Sequence, residues 1–414
     1  MPVVALVAVL ASAAGGFVNW AIYSLAYFQP RAISPWSQAP EPLARDWLDR
    51  VPIFGWLRLR RESQHWGRGF WVRPLLIEAT LAVGIAWLYH TELSGALLPA
   101  GNAAVPSLTP LGQWISHTLL ILLMTVATFI DFDEKTIPDW ITTPGTLLGL
   151  VLMTAWPLAG ALPQIEFQER LQPLWLTTFS LWWQEWLDQW PGLVVGIACL
   201  LAWCYALVPK TFTLRRGWRK AWTYFHVSTL RSPLAKPLAV IAVVGSLVIA
   251  GVWLTYGRAP IAGLPPTPWR ALLTSLVGMA FGGALVWAVR IVGYLGLRKE
   301  AMGFGDVTLM AMIGAFLGWQ STILVFFLAP FAAVVIAVTQ TLLTGRRDIA
   351  FGPYLCAGAL ILILYWQTIW ENWGAPVFGL GWIVPALLVC GLGVMLGLLM
   401  LIRLLEEAFW PEVR

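Results

Sequence analysis

Two short stretches place acids where the surrounding sequence is apolar. In AMGFGDVTLMAMIGAFLGW, from Ala301, the acid is Asp306; TFIDFDEKTIPDWITTPG, from Thr128, holds Asp131, Asp133, Glu134 and Asp139. A carboxylate beside hydrocarbon is costly to keep charged, so such a residue marks a functional position by default. Two carboxylates sharing a proton at a partly desolvated site can hydrolyse a peptide bond: the ionised one activates water, and the protonated one polarises the carbonyl and helps the amine leave. Gly303 and Gly305 flank Phe304 just before Asp306. That spacing is expected to let an extended peptide lie against the backbone and to permit conformations closed to other residues. Taken singly, each acid fits better as a solvated interfacial residue near a helix end.

The elements that must position these acids are membrane helices. The chain is 59% hydrophobic and 11% charged, where a soluble globular chain carries roughly 25% charged residues. The composition predicts an all-α polytopic membrane protein. Apolar runs near 3–28, 74–90, 114–131, 140–160, 192–208, 237–256, 270–292, 306–320, 321–344, 351–370 and 382–403 predict about eleven spans, with only a tight turn at LGWQS between the eighth and ninth. The first run lacks a basic n-region and continues too far for a removed signal, so it is expected to be retained. Trp20, Trp87, Trp114, Trp140, Trp319 and Trp382 stand near run ends, where amphipathic rings favour the headgroup region. Cys199, Cys204, Cys356 and Cys390 lie inside apolar runs without C-x-x-C spacing and are expected to be small hydrophobes. Asp131 is expected to close the third span, Asp133 and Glu134 to follow in a polar turn, and Pro138 to sit in the first turn of the next helix, with Asp139 near its positive end.

Loop charge sets the expected orientation. Arg31, Arg45, Arg50, Arg58, Arg60, Arg61, Arg68 and Arg73 fill the loop between the first two runs, and Lys210, Arg215, Arg216, Arg219, Lys220, Arg231 and Lys236 fill the loop of 209–236. With alternating spans, nearly every cation falls on one side, which the positive-inside rule assigns to the cytoplasm. The amino terminus is then outside, the carboxyl terminus inside, and Asp131 and Asp306 share the cytoplasmic boundary.

GFGD, FIDFDEKTIPD and, after Arg347, AFGPYLCAGALI together resemble the bacterial type IV prepilin leader peptidases, the G-x-G-D aspartic peptidases of the inner membrane. GGFVNWAIYSL, DRVPIFGWLRLRRE and RGFWVRPLLIEA are similar to the family's amino-terminal region. The resemblance covers roughly 1–90, 114–150 and 298–365 and implies catalytic roles for Asp131 and Asp306, with motif glycines at Gly303 and Gly305. Asp133 is the fallback for Asp131, and Asp139 matches an acid with a structural or substrate-positioning role. The implied reaction removes the basic leader of type IV prepilins or type II secretion pseudopilins at the cytoplasmic face, where Asp133 and Glu134 would meet the leader. Expected partners are those substrates, membrane lipids and pilus or secretion components, with no nucleic acid.

Family members with paired C-x-x-C motifs in the first loop bind zinc there and also methylate the new amino terminus with S-adenosylmethionine. Here SPWS (Ser34 to Ser37) and RESQHWGRG stand in those places. Hydroxyls do not replace thiolates at tetrahedral zinc, so no metal is expected. Methylation stays open, and no cofactor is expected for the peptidase. His65 is expected to be solvated. Glu78 matches a family position and otherwise fits an interfacial acid paired with Arg73. Thr308 replaces a common family Lys. The sequence divides into 1–90, a first catalytic segment 91–160, an insertion 161–269 with two extra spans, and a second catalytic segment 270–414. Within the insertion, the acidic stretch 166–190 is expected as an interfacial amphipathic helix, and the basic loop as a lipid-facing segment or a docking site. A catalytically silent relative that scaffolds pilin-like helices is the alternative. A proton-coupled transporter is disfavoured because both acids fall at a boundary and not at the midplane.

Overall fold

Every one of the eleven apolar runs coincides with a helix in the computed structural model, which describes residues 2–28, 33–41, 43–97, 108–157, 162–166, 170–173, 176, 184–208, 227, 231–257, 267–298, 302–344 and 350–409. In chain order they are α1 (Pro2–Leu25), α2 (Val72–Leu93), α3 (Leu108–Glu134), α4 (Asp139–Ala155), α5 (Trp190–Leu207), α6 (Ala235–Tyr256), α7 (Pro268–Leu297), α8 (Phe304–Leu317), α9 (Trp319–Thr344), α10 (Gly352–Leu364) and α11 (Ile383–Phe409). By length and apolar character 8 of these can cross a membrane, or up to 9 if α10 and the helical segment after it, bent by 92°, count as one span. The protein is a polytopic, helical membrane protein. Helix α8, with 14 residues, reaches only about 21 Å at 1.5 Å per residue, short of a hydrocarbon core of about 30 Å.

The structure corrects three local expectations. Helix α3 runs through Glu134, so Asp133 and Glu134 belong to its last turn and not to a following loop; Lys135, at φ 57, ends it. Pro138 lies just ahead of α4 and accepts from the Ile141 N–H at 3.0 Å. Of the stretch expected as an interfacial helix, 166–190, the described residues hold Arg170–Pro173, a strand paired antiparallel with Pro163–Glu166 in the register Pro163↔Pro173, and a short helical turn at Glu185–Leu187; much of the rest lies outside the described residues. The expected LGWQS turn is present, with Gly318 at φ 83 closing α8. Most of the basic loop of 209–236 lies outside the described residues.

The chain forms two compact units, Met1–Gly145 with Leu162–Pro173 and Leu324–Pro376, and Thr146–Ala161 with Leu174–Ile323 and Val377–Arg414. In the first, α1, α2 and α3 pack on one another and α10 packs on α3. Gly15 sets how closely α1 meets α2, since a Cβ there would lie 2.8 Å from the Glu78 Cα. The loop between α1 and α2 is held by buried charge pairs. Arg45 makes a two-pronged bond to Glu62 (2.8 and 2.6 Å) and donates to the Ser34 and Ser37 carbonyls (2.7 and 2.8 Å). The fully buried Asp49 takes Arg58 and Arg61 at 2.8 and 2.6 Å. Arg45 thus joins SPWS to RESQHW.

In the second unit α7 and α8 meet backbone to backbone. A Cβ at Gly278 would strike the Gly314 carbonyl, one at Gly314 would strike the Gly278 carbonyl, and one at Gly282 would come within 2.6 Å of the Met310 carbonyl oxygen. The Ser275 hydroxyl crosses the same seam to the Ala315 carbonyl at 2.5 Å. Nothing but glycine permits this approach, and it fixes α8 against a helix whose Trp269, Leu273, Leu276 and Met279 are wholly buried.

Candidate active site

Asp131 lies in the last turn of α3, 5% exposed, and its Oδ2 accepts from the Gly352 N–H at 3.1 Å. Gly352 is the first residue of α10, so the carboxylate takes the backbone N–H at that helix's positive end. The contact requires glycine: a Cβ at 352 would lie 2.6 Å from Asp131 Oδ2 and 2.7 Å from Ile137 Cδ1. The FGPY stretch therefore acts through a backbone donor that side-chain reading overlooks.

Three acids in one closing turn oppose the negative end of the α3 dipole, a cost of about 0.3–1 kcal/mol for each exposed charge. Arg73 offsets it by pairing with Asp133 at 2.8 Å, donating to the Phe129 carbonyl at 3.3 Å and lying over the Phe129 ring. Both Glu134 carboxylate oxygens accept backbone N–H groups, of Tyr27 and Phe28, at 2.9 Å. Asp133 and Glu134, expected to face a basic leader, are thus engaged in holding α1, α2 and α3. Asp133 stands exposed on an arginine two residues from Asp131. Asp139 is in the first turn of α4, where its charge suits the helix end, and is half-buried.

Asp306 belongs to the other unit. It is the third residue of α8, 6% exposed, and its Oδ2 accepts from the Gly303 N–H at 3.2 Å. Arg290 steadies the approach to this turn, bonding the Met302 carbonyl at 3.1 Å with its guanidinium 5.9 Å from the Phe304 ring centre. Gly303 has φ −71 and Gly305 is an ordinary helical residue, so neither needs a conformation reserved for glycine, contrary to expectation. A Cβ at Gly303 would stand 3.7 Å from Asp306 Oδ2, in ordinary contact, so the position is not closed to a side chain. Thr308 is buried and donates to the Gly305 carbonyl at 3.0 Å, so its hydroxyl is satisfied by a neutral local bond.

Glu78 is not paired with Arg73. It is 2% exposed and accepts from Ile53 N–H (2.6 Å), Trp56 Nε1 (2.8 Å) and Asn19 Nδ2 (3.1 Å). The resemblance covered the stretches that hold Asn19 and Trp56 without singling out either, because these contacts join α1, α2 and the loop between them.

Residues 233–338 match the type IV leader peptidase family. The matched segment contains Gly303, Gly305 and Asp306; it starts within the stretch read as an insertion and leaves Asp131 outside. Among similar proteins are the prepilin leader peptidase/N-methyltransferases of Aeromonas salmonicida (strain A449), 33% identical over 25% of this chain and 40% of that protein, and of Escherichia coli (strain K12), 33% identical over 22% and 41%. That of Pseudomonas aeruginosa is 35% identical over 24% of this chain and 36% of its own length. The chain spans about two fifths of the curated relatives it matches. No solved structure matches it.

Proposed function

From a segment, 233–338, that belongs by sequence to the type IV leader peptidase family, we propose that this protein is a membrane-embedded aspartic endopeptidase. Asp131 and Asp306 form its catalytic pair. Its substrates are type IV prepilins or type II secretion pseudopilins, cut between a short basic leader and an apolar helix at the cytoplasmic face of the inner membrane, with the amino terminus outside and the carboxyl terminus inside. The observation that carries this reading is a buried aspartate at a helix terminus in each of two units, each carboxylate accepting a glycine N–H.

In the proposed reaction one carboxylate removes a proton from water as it attacks the scissile carbonyl, while the other, protonated, donates to the carbonyl oxygen. Collapse of the tetrahedral intermediate breaks the C–N bond, and a proton passes to the leaving amine. The Gly352 N–H fixes the Asp131 carboxylate and the Gly303 N–H fixes that of Asp306, so neither has to reorganise during the step.

N-methylation of the new amino terminus, an activity in keeping with relatives that are named N-methyltransferases, is the second activity we propose, with S-adenosylmethionine supplying the methyl group. The supporting observation is that the loop between α1 and α2 is folded without thiolates, through Arg45, Glu62 and Asp49. Co-expression with a panel of prepilin-like substrates, followed by intact mass of the products, tests both activities. Leader loss that disappears in Asp131→Asn and in Asp306→Asn supports the peptidase, and an increment of about 14 Da, one methyl group, on the product supports methylation. A folded protein that captures the substrates uncut would favour the scaffold instead.

A further inference from the structure

Each stem of the loop between α1 and α2 is fastened to the turn of α3 that carries Asp131. At the start of the loop, the Tyr27 and Phe28 N–H groups both donate to the Glu134 carboxylate at 2.9 Å. At its end, Arg73, in the first turn of α2, donates to the two Asp133 carboxylate oxygens at 3.0 and 2.8 Å and to the Phe129 carbonyl at 3.3 Å. Its guanidinium also lies 4.7 Å from the Phe129 ring centre. Phe129 and Asp133 stand two residues either side of Asp131, and at about 3.6 residues per turn that puts them on the helix face turned away from it. Asp131 itself takes the Gly352 N–H at 3.1 Å. All of these residues belong to the first unit.

The turn is poorly suited to hold its shape alone. Three acids crowd the negative end of α3, where they oppose the helix dipole and repel one another. Its last carbonyls lack donors within the helix, and helix ends of this kind open first. The donors that oppose fraying come from outside α3: the loop stems supply them on one face and Gly352 on the other.

We infer, resting on the catalytic role proposed above for Asp131, that Arg73 and Glu134 are its positioning residues, and that the loop between α1 and α2 belongs to the cleavage machinery through its two stems. Asp133 and Glu134 then serve the turn and not a basic leader, and the two roles separate kinetically. An acid that binds the leader acts on KM, whereas a turn that no longer presents Asp131 lowers kcat and keeps KM.

Cleavage kinetics on a peptide spanning a prepilin cleavage site test this, with the full-length protein in nanodiscs and melting curves alongside. Arg73→Gln is expected to lower kcat roughly 10- to 100-fold, the loss that a displacement of about 1 Å produces, with KM within about threefold. The Arg73 and Asp133 side chains are 34% and 42% exposed, and an ion pair so open to water adds little to stability, so the melting curve should stay in place. Asp133→Asn should give a similar loss, and the two together no more than the worse single variant. Charge exchange, Arg73→Asp with Asp133→Arg, should recover most of the kcat lost in Arg73→Asp alone, a recovery impossible if Asp133 itself carried out chemistry. In folded protein, an unchanged kcat in Arg73→Gln, a loss confined to KM, losses that multiply in the double variant, or no recovery on exchange overturns the inference. Should Arg73→Gln not fold, Glu134→Gln at the other stem carries the test, with the same loss of kcat expected and an unaltered kcat overturning it. Asp131→Asn separates the two readings. If it cuts at the wild-type rate, the catalytic role and this inference fall together; if it is inactive while Arg73→Gln keeps the wild-type kcat, only the inference falls.

Discussion

Replacing Gly352 by alanine is predicted to slow cleavage by roughly 10- to 100-fold without unfolding the protein. The added Cβ would lie 2.6 Å from Asp131 Oδ2, where ordinary contact begins at 3.4 Å, so the carboxylate must retreat by about 0.8 Å. That movement stretches the 3.1 Å bond from the Gly352 N–H beyond hydrogen-bond range. A bond to a charged acceptor contributes about 1.5–3 kcal/mol, and each 1.4 kcal/mol or so lost from the transition state is about tenfold in rate. A displaced catalytic group adds to this loss through misorientation. Alanine is otherwise acceptable at this position, since Gly352 has no positive φ and alanine favours helix. The assay is kcat and KM on a peptide spanning a prepilin cleavage site, with the protein in nanodiscs and thermal unfolding measured alongside. A variant with kcat within about twofold of wild type and an unchanged melting curve would refute the claim that this N–H fixes Asp131.

Gly303→Ala is expected to raise KM by adding a methyl beside the Asp306 carboxylate, with little change in melting temperature because its Cβ would stand 3.7 Å from Asp306 Oδ2, in ordinary contact; unaltered kinetics would remove Gly303 from the substrate path. Gly314→Val would force α7 and α8 apart and is expected to lower yield and thermal stability sharply, read by detergent-solubilised melting. Arg45→Ala leaves Glu62 buried and unpaired, a loss of about 3–5 kcal/mol seen as proteolytic opening of the first loop, whereas chelators should leave that loop unaffected. For Glu62, burial alone would raise the carboxyl, yet its bonds from Arg45 and Trp66 hold it below the usual range; for Asp49, burial is likewise outweighed by the Asp46 N–H, Arg58 and Arg61. Folded-state values below the unfolded ones mean the stabilisation is fully present above an unfolded pKa of about 4 and is lost as pH falls through the folded values. Acid titration of loop proteolysis should show this loss, and Glu62→Gln should flatten it.

Helix positions were legible in the sequence because twenty-odd apolar residues in a row admit few other structures. The LGWQS turn was legible for the same reason, since only a sharp reversal fits between α8 and α9. The hairpin at 163–173 was not, because its strands are too short to show alternation. The positions of Asp131 and Asp306 at helix ends followed from where apolar runs stop. Their hydrogen-bond donors did not, since a glycine N–H has no side chain to read and Gly352 lies far along the chain from Asp131. Glu78 was misread for a related reason: Arg73 is its neighbour in sequence, but in space Arg73 turns to Asp133 and the partners of Glu78 come from α1 and the loop. The carboxylates of Asp133 and Glu134 look free in the sequence and are spent on holding helices together.

The central claim, that Asp131 and Asp306 act as one catalytic pair, is tested most directly by cleavage kinetics of Asp131→Asn, Asp306→Asn and the double variant. Groups that act as a unit lose activity non-additively. The account predicts that either single variant lowers kcat by at least about 10²-fold and that the double variant falls no further. Cleavage at the wild-type rate by either single variant, or losses that multiply in the double, would contradict it.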